Sequence, residues 1–294
     1  MKKEIKFALT AAPLAALVLL VAFAIYHIVS LAPRDNLILV KNATIEENIT
    51  LDGLLFRNET VLTSSGDIKQ IIAKDGEKIA AGSVVAIADE EIKSDISGLF
   101  YSDIDGYESI FTADAALGID VANFDKITTQ NPFDDSKKAK PPTPSGAFGK
   151  IATEFDWYFA AKTDNADKFK AGEIYAASIG GADVTFELVK KSDGEKKSVL
   201  VFRCDRMPRE LKFKRWMTAQ VTAAVHSGTA VPSRAIYNID KSKYIYIFDG
   251  GYARRRAINL IFEKDGICVI ESKFIHEGDV IVIESGLYDG KVMH

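Results

Sequence analysis

Two patterns of apolar residues divide the chain. From residue 7 to residue 32 there is no Asp, Glu, Lys or Arg, and the run carries Phe7, Leu14, Leu17, Leu20, Phe23, Ile25 and Leu31. A bilayer core about 30 Å thick takes about 20 apolar residues at helical rise, so this stretch predicts one transmembrane helix. A cleaved signal peptide would hold an apolar region of about 7–15 residues before a small-residue cleavage site. Here the run continues through Tyr26, Ile28 and Val29, which favours an uncleaved anchor. Lys2, Lys3 and Lys6 precede the span, and only Arg34, beside Asp35, closely follows it. The positive-inside bias therefore predicts a short cytoplasmic stub and an extracytoplasmic bulk after about residue 33. His27, near the outer end of the helix, is expected to reach the interface rather than mark an intramembrane site.

Past the anchor no long stretch repeats apolar residues at helical spacing. Short β-branched and aromatic runs bounded by Gly, Asp and Asn recur instead, which predicts a mainly β exterior. Residues 66–88 read as a strand, a turn at Asp75-Gly76, a return anchored by Ile79, a second turn at Gly82 and another strand. Gly66, Gly76 and Gly82 are placed where positive φ is expected. A shorter echo at 97–108 repeats the order with Gly98 and Gly106, and two such hairpin units suggest a pseudo-twofold sandwich. Residues 113–129 can hold a short helix. Residues 131–146 concentrate Pro, Gly and charge and predict an exposed linker. Beyond it, 150–161, with Phe155, Trp157 and Phe159 alternating, reads as a strand, 165–170 as one helical turn and 173–179 as a strand. The runs 184–189 and 199–204 then flank a hairpin signal at Ser192-Asp193-Gly194.

Composition narrows the function classes. With 37 Lys+Arg against 41 Asp+Glu among 294 residues, there is no cationic surplus for phosphate neutralisation, so nucleic acid is not an expected partner. The two cysteines, Cys204 and Cys268, are too few for a disulfide scaffold or a four-thiolate zinc site and read as small buried hydrophobes. The chain has no Gly-x-Ser-x-Gly, Gly-x-Gly-x-x-Gly or His-Glu-x-x-His, and the pairs Gly149-Lys150 and Gly290-Lys291 lack the Ser or Thr of a P-loop. His226 and His276 are far apart, and the pairs Glu46-Glu47 and Asp134-Asp135 read as solvated surface. Asn42, Asn48 and Asn58 each begin an Asn-x-Thr triplet, a glycan acceptor only in a eukaryotic secretory protein. Two basic clusters are candidates for contact with a partner or with lipid headgroups. One, around Lys212 and Lys214, also reads as a strand with Leu211 and Phe213 inward. In the other, Arg254 and Arg256 share one face of a strand, which a charged, exposed edge explains equally.

The stretch 66–88 resembles the opening half of a biotinyl/lipoyl-like domain, and 97–108 its closing half, as found in membrane fusion proteins of the HlyD type, the adaptor subunits of exporters. The later runs 231–236, 244–256 and 277–283 are similar in order and content to the barrel and membrane-proximal strands of those adaptors. The resemblance implies a mainly β fold: an N-terminal single transmembrane helix followed by a lipoyl-like β-sandwich, a β-barrel domain and a membrane-proximal β domain. The boundaries it implies are 1–33 for stub and anchor, 34–60 for strands pairing with the membrane-proximal domain and 61–112 for the lipoyl-like domain. The linker would follow at 113–149, the barrel at 150–226 and the membrane-proximal domain at 227–294. It implies a non-enzymatic adaptor without cofactor or metal, partnered by the membrane, an exporter's membrane subunit and copies of itself, on the outer side of the cytoplasmic membrane.

Two departures qualify that likeness. Lys93 is the candidate for a carrier lysine, but it lacks the Met-Lys-Met surroundings of carriers, so no modification is expected. Many adaptors insert a long helical hairpin between the lipoyl halves, whereas only residues 89–95 separate them here. No heptads fit, and the arm that docks onto an outer-membrane channel is expected to be missing. A structural or regulatory envelope protein, for division or wall synthesis, could reuse the same scaffold. An exterior enzyme would show a deep pocket with convergent polar groups.

Overall fold

Alternating apolar residues become strands through nearly the whole described chain. The computed structural model describes residues 37–129, 142–153, 155–208, 214–283 and 286–293. The proposed anchor, with Phe7, Leu14, Leu17, Leu20, Phe23, Ile25 and Leu31, lies outside these residues, as does most of the linker. No helix among the described residues is long and apolar enough to cross a membrane. The first strands are β1 (Leu37–Leu39), β2 (Lys41–Phe56), β3 (Glu59–Thr63), β4 (Gln70–Ile71), β5 (Lys78–Ile79), β6 (Val84–Ile87), β7 (Glu91–Lys93) and β8 (Gly98–Tyr101). Helices α1 (Ala113–Gly118) and α2 (Val121–Thr129) follow. Then come β9 (Ala147–Ala152), β10 (Trp157–Thr163), β11 (Ile174–Ile179), β12 (Ala182–Ser192), β13 (Ser198–Cys204) and β14 (Trp216–Pro232). The last strands are β15 (Tyr237–Ile239), β16 (Ser242–Asp249), β17 (Tyr252–Lys264), β18 (Ile267–Glu271), β19 (Val280–Val282) and β20 (Lys291–Val292). Among the described residues, 46–225 form one compact unit, and 37–45 join those from 226 onward in another.

Within 46–225, six strands close into a barrel in the order β2, β10, β13, β12, β11, β14 and back to β2. Closure leaves no open edge for strand addition. Its interior holds Trp157, Phe159, Phe186 and Phe202, with the Phe186 ring stacked on Phe159 at 5.6 Å and on Phe202 at 5.4 Å. Outside the wall, Phe111, Ile119 and Phe124 from the α1–α2 region cover Leu54, Phe56, Ala160, Val199 and Val201. Strands β10 and β13 are thus buried on both faces, and 199–202 is correspondingly a continuous apolar run instead of an alternating one. Thr112 caps α1 by accepting from the Ala115 N–H.

The rest of this unit is a small sandwich of two sheets, β3-β9-β8-β5 and β4-β6-β7, around Ile79, Val85, Phe100, Phe148 and Ile151. It departs from the sequence reading in three ways. The strand expected over 150–161 is two strands; β9 belongs to the sandwich and β10 to the barrel, with Phe155 exposed between them and Lys78 Nζ 5.1 Å from its ring. The echo at 97–108 supplies only β8, which pairs with β5 from the first stretch and with β9 instead of forming a second hairpin. Positive φ occurs at Gly76 (75°), Gly82 (87°) and Gly106 (81°) but not at Gly66 or Gly98. Gly98 is needed for closeness, because a Cβ there would lie 2.1 Å from the Ala152 carbonyl oxygen.

In the other unit β1 pairs with β19, Leu37 facing Val282 and Leu39 facing Val280, and the sheet continues through β16 and β17. The residues expected to pair with the C-terminal region are therefore divided: 37–45 lie in that unit, while 46–56 build the barrel. Val40, Val231, Ile245, Ile270 and Ile281 form its core. The turn at Asp249-Gly250-Gly251 closes β16 onto β17 with φ of 55° and 85° at the two glycines, the geometry that matches strand twist.

Truncating the central barrel ring is the sharpest test of this packing. Phe186→Ala should lower stability by about 3–5 kcal/mol in urea unfolding of the full chain in detergent, and a loss below about 1 kcal/mol would contradict the stacked interior.

Candidate functional site

The most concentrated chemistry in the described chain is a buried set of six ionisable groups. Arg57 and Glu59 flank the end of β2 and the start of β3, Lys150 lies on β9, and Arg215 immediately precedes β14. Asp105 and Glu108 come from the segment that leaves β8 without forming the expected hairpin. Arg57 Nη2 lies 2.6 Å from Glu59 Oε1, Lys150 Nζ lies 3.3 Å from Glu59 Oε1 and 3.1 Å from Glu108 Oε1, and Arg215 Nε donates to Asp105 Oδ2 at 2.8 Å. Arg215 Nη2 also donates to Glu59. Three cations meet three carboxylates, so the set is neutral as a whole.

Its surroundings explain why it holds. The Arg57 guanidinium sits 4.3 Å from the Tyr101 ring centroid and that of Arg215 5.6 Å from Phe111, so both cations are sheltered by aromatic faces. The backbone is fixed with them: Arg57 N–H donates to the Phe111 carbonyl and Leu55 N–H to that of Arg215. Burial by itself raises the Glu59 carboxyl, but the charges of Arg57, Arg215 and Lys150 outweigh it and hold the group below its ordinary value of 4.5. Burial also raises Asp105, and the hydrogen bond and charge of Arg215 overcome it, pushing the carboxyl far below the usual range. Such a network can lock one arrangement of sandwich, loop and barrel. The sequence reading missed it, although Lys150 inside the apolar run 147–152 was a visible signal.

The residues singled out beforehand fall elsewhere. Lys212 lies outside the described residues, and Lys214 is exposed. The strand expected around them begins only at Trp216, whose ring faces Phe124 at 6.4 Å. On β17, Arg254 and Arg256 are half-buried on the side of Ile245 and Ile247, while exposed Arg255 takes the opposite side. Gly76 and Gly82 sit in turns of the sandwich, with nothing within 4 Å of a Cβ at either. Cys204 and Cys268 are free and buried, and burial pushes both thiols upward, away from the reactive thiolate. No cluster of three or more His, Cys, Asp or Glu among the described residues could hold a metal ion.

Removing one partner of the network exposes its cost. Glu59→Gln leaves Arg57, Lys150 and Arg215 sharing too little negative charge and should cost about 3–5 kcal/mol. Because the folded carboxyls of Glu59 and Asp105 titrate below their unfolded values, their stabilisation is complete above pH of about 4.5 and declines as pH falls through the folded values. Urea midpoints measured downward from pH 6 should fall more steeply below pH of about 4.5 in the parent chain than in Glu59→Gln; equal slopes would contradict the network.

Comparison with known proteins gives structural likeness alone. No family model matches the chain, and no curated protein matches it. Among solved structures it is similar to MacA from Actinobacillus actinomycetemcomitans, at 13% identity and a TM-score of 0.41 over 84% of this chain and 99% of that one. It is similar also to ZneB from Cupriavidus metallidurans (12%, TM-score 0.30, 86% and 94%). A third is the membrane fusion protein Spr0693 from Streptococcus pneumoniae R6 (11%, TM-score 0.30, 59% and 98%). Membrane fusion proteins are thus among the structures this chain is similar to.

Proposed function

We propose that this chain is a membrane-anchored, non-enzymatic adaptor that assists an exporter from the outer side of the cytoplasmic membrane. The observation that carries this reading is the destination of the N-terminal strand. Leu37 begins β1 only five steps beyond Ala32, the end of the uncharged apolar run, and β1 is built into the C-terminal unit through β19. Five extended steps reach about 17 Å at most. A helix at 7–32 therefore keeps the unit made from both chain ends beside the bilayer, as the resemblance to HlyD-type adaptors implies for a membrane-proximal domain.

The remaining modules suit a scaffold. A closed barrel resists adventitious strand addition, and a sandwich joined to it through buried ion pairs presents a fixed surface to a partner. Tethering raises the effective concentration of that surface beside a membrane subunit, so modest contacts suffice. Between β6 and β7 the chain turns within residues 88–90, so no helical arm leaves the sandwich there. That supports an adaptor that acts at one membrane.

Two experiments test the reading. Leu17→Arg with Leu20→Arg should release the chain from membranes washed with alkaline carbonate, since each charge at a helix centre costs about 2.5–3.5 kcal/mol on insertion scales; a chain still retained would refute the anchor. Affinity purification of the parent chain from gently solubilised membranes should recover a transporter's membrane subunits, whereas recovery of division or wall-synthesis proteins in their place would assign it to envelope structure.

A further inference from the structure

The sheet that contains β1 has two unlike faces. One packs Ile38, Ile245, Ile247, Ile258 and Ile281 into or against the core of its unit. Residues opposite one another in an antiparallel ladder share a face, so Leu37, Val282, Tyr246 and Arg255 form a row across the second face. Leu287 and Met293 pack on Tyr246, Ala253 and Val282 there. Leu37, Leu39 and Phe248 stay exposed, Leu39 by 53%. Exposed apolar residues gathered on one face are a feature that needs an occupant.

Charge and tether length select that occupant. Exposed Arg255 stands on this face with its guanidinium 4.9 Å from the Tyr244 ring, whereas Arg254 and Arg256 share the other face with Ile245 and Ile247. The Arg255 N–H is held by Asp289 at 2.9 Å. Rings at headgroup depth with cations reaching phosphates are the composition that interfacial surfaces use. A buried protein interface, by contrast, is depleted of charge at its core. Leu37 itself lies within about 17 Å of the end of the apolar run.

We propose that this face, with Leu37, Leu39 and Phe248 beside Arg255, rests on the anionic headgroups of the membrane that the chain's own N-terminal helix enters. The proposal rests on the anchor reading given above. It makes the unit built from both chain ends a second, lipid-dependent attachment that fixes orientation where a single helix leaves rotation free.

Single cysteines test it, because Cys204 and Cys268 are buried. Leu39→Cys and Phe248→Cys in the full chain, reconstituted into nanodiscs, are labelled with a water-soluble maleimide. The reference is Ile267→Cys, exposed and paired with Lys264, about 35 Å along β17 from the patch. Labelling at 39 and 248 should be about fivefold slower in discs containing phosphatidylglycerol than in pure phosphatidylcholine, with 267 unchanged. Adding Arg255→Gln should erase the difference, and the comparison of lipids stands without that variant. Equal rates in both lipids, in a chain that resists alkaline wash, would overturn the docking and leave the anchor intact. A chain that washes off overturns both. Slowing at all three positions, or slowing at 39 and 248 only when other membrane proteins are added, also overturns it, the latter by assigning the face to a protein partner.

Discussion

Leu37–Leu39 hydrogen-bonds to Val280–Val282, and through that pairing the first described strand and one of the last become neighbours in a single sheet. Every functional consequence drawn for this chain depends on that constraint. With it, Leu37 is fixed in that sheet five backbone steps past Ala32, the end of the apolar run, a reach of about 17 Å at most.

The second unit meets a different demand. A barrel filled by Trp157, Phe159, Phe186 and Phe202 is stiff in itself, because its interior rings interlock and its wall has no edge. The sandwich has a smaller core and two short sheets, so its placement needs another source. Glu59 supplies much of it: one carboxylate, fully enclosed, receives Arg57 from the end of β2, Lys150 from β9 and Arg215 from the approach to β14. Such ion pairs add little net stability over apolar packing, but breaking one is costly, which makes them better suited to fixing an arrangement than to strengthening a core.

Much of the fold was legible in local pattern. The β-rich fold past residue 36, the helical stretch at 113–129, the hairpin at Ser192-Asp193-Gly194 and the glycine turn at Gly250-Gly251 all follow from periodicity and turn chemistry. What was illegible depended on distant partners. Residues 102–108 have the letters of a second hairpin, but Asp105 is drawn to Arg215 and Glu108 to Lys150, 110 and 42 residues away along the chain. The run 150–161 alternates well enough to read as one strand, and only the tertiary assignment of Ile151 to the sandwich and Phe159 to the barrel divides it. Arg255 was correctly separated from Arg254 and Arg256 by alternation, whereas their half-burial beside Ile245 and Ile247 required the register with β16.

What lies against the two units in the living cell decides between an exporter's adaptor and an envelope scaffold. The most direct measurement places a photo-crosslinking residue at exposed positions such as Lys214, Ile174 and Tyr288 in intact cells and identifies the adducts. The adaptor reading predicts crosslinks to the membrane subunit of a transporter and to copies of the chain itself; adducts confined to cytoplasmic proteins, or to the division and wall-synthesis machinery, would contradict it.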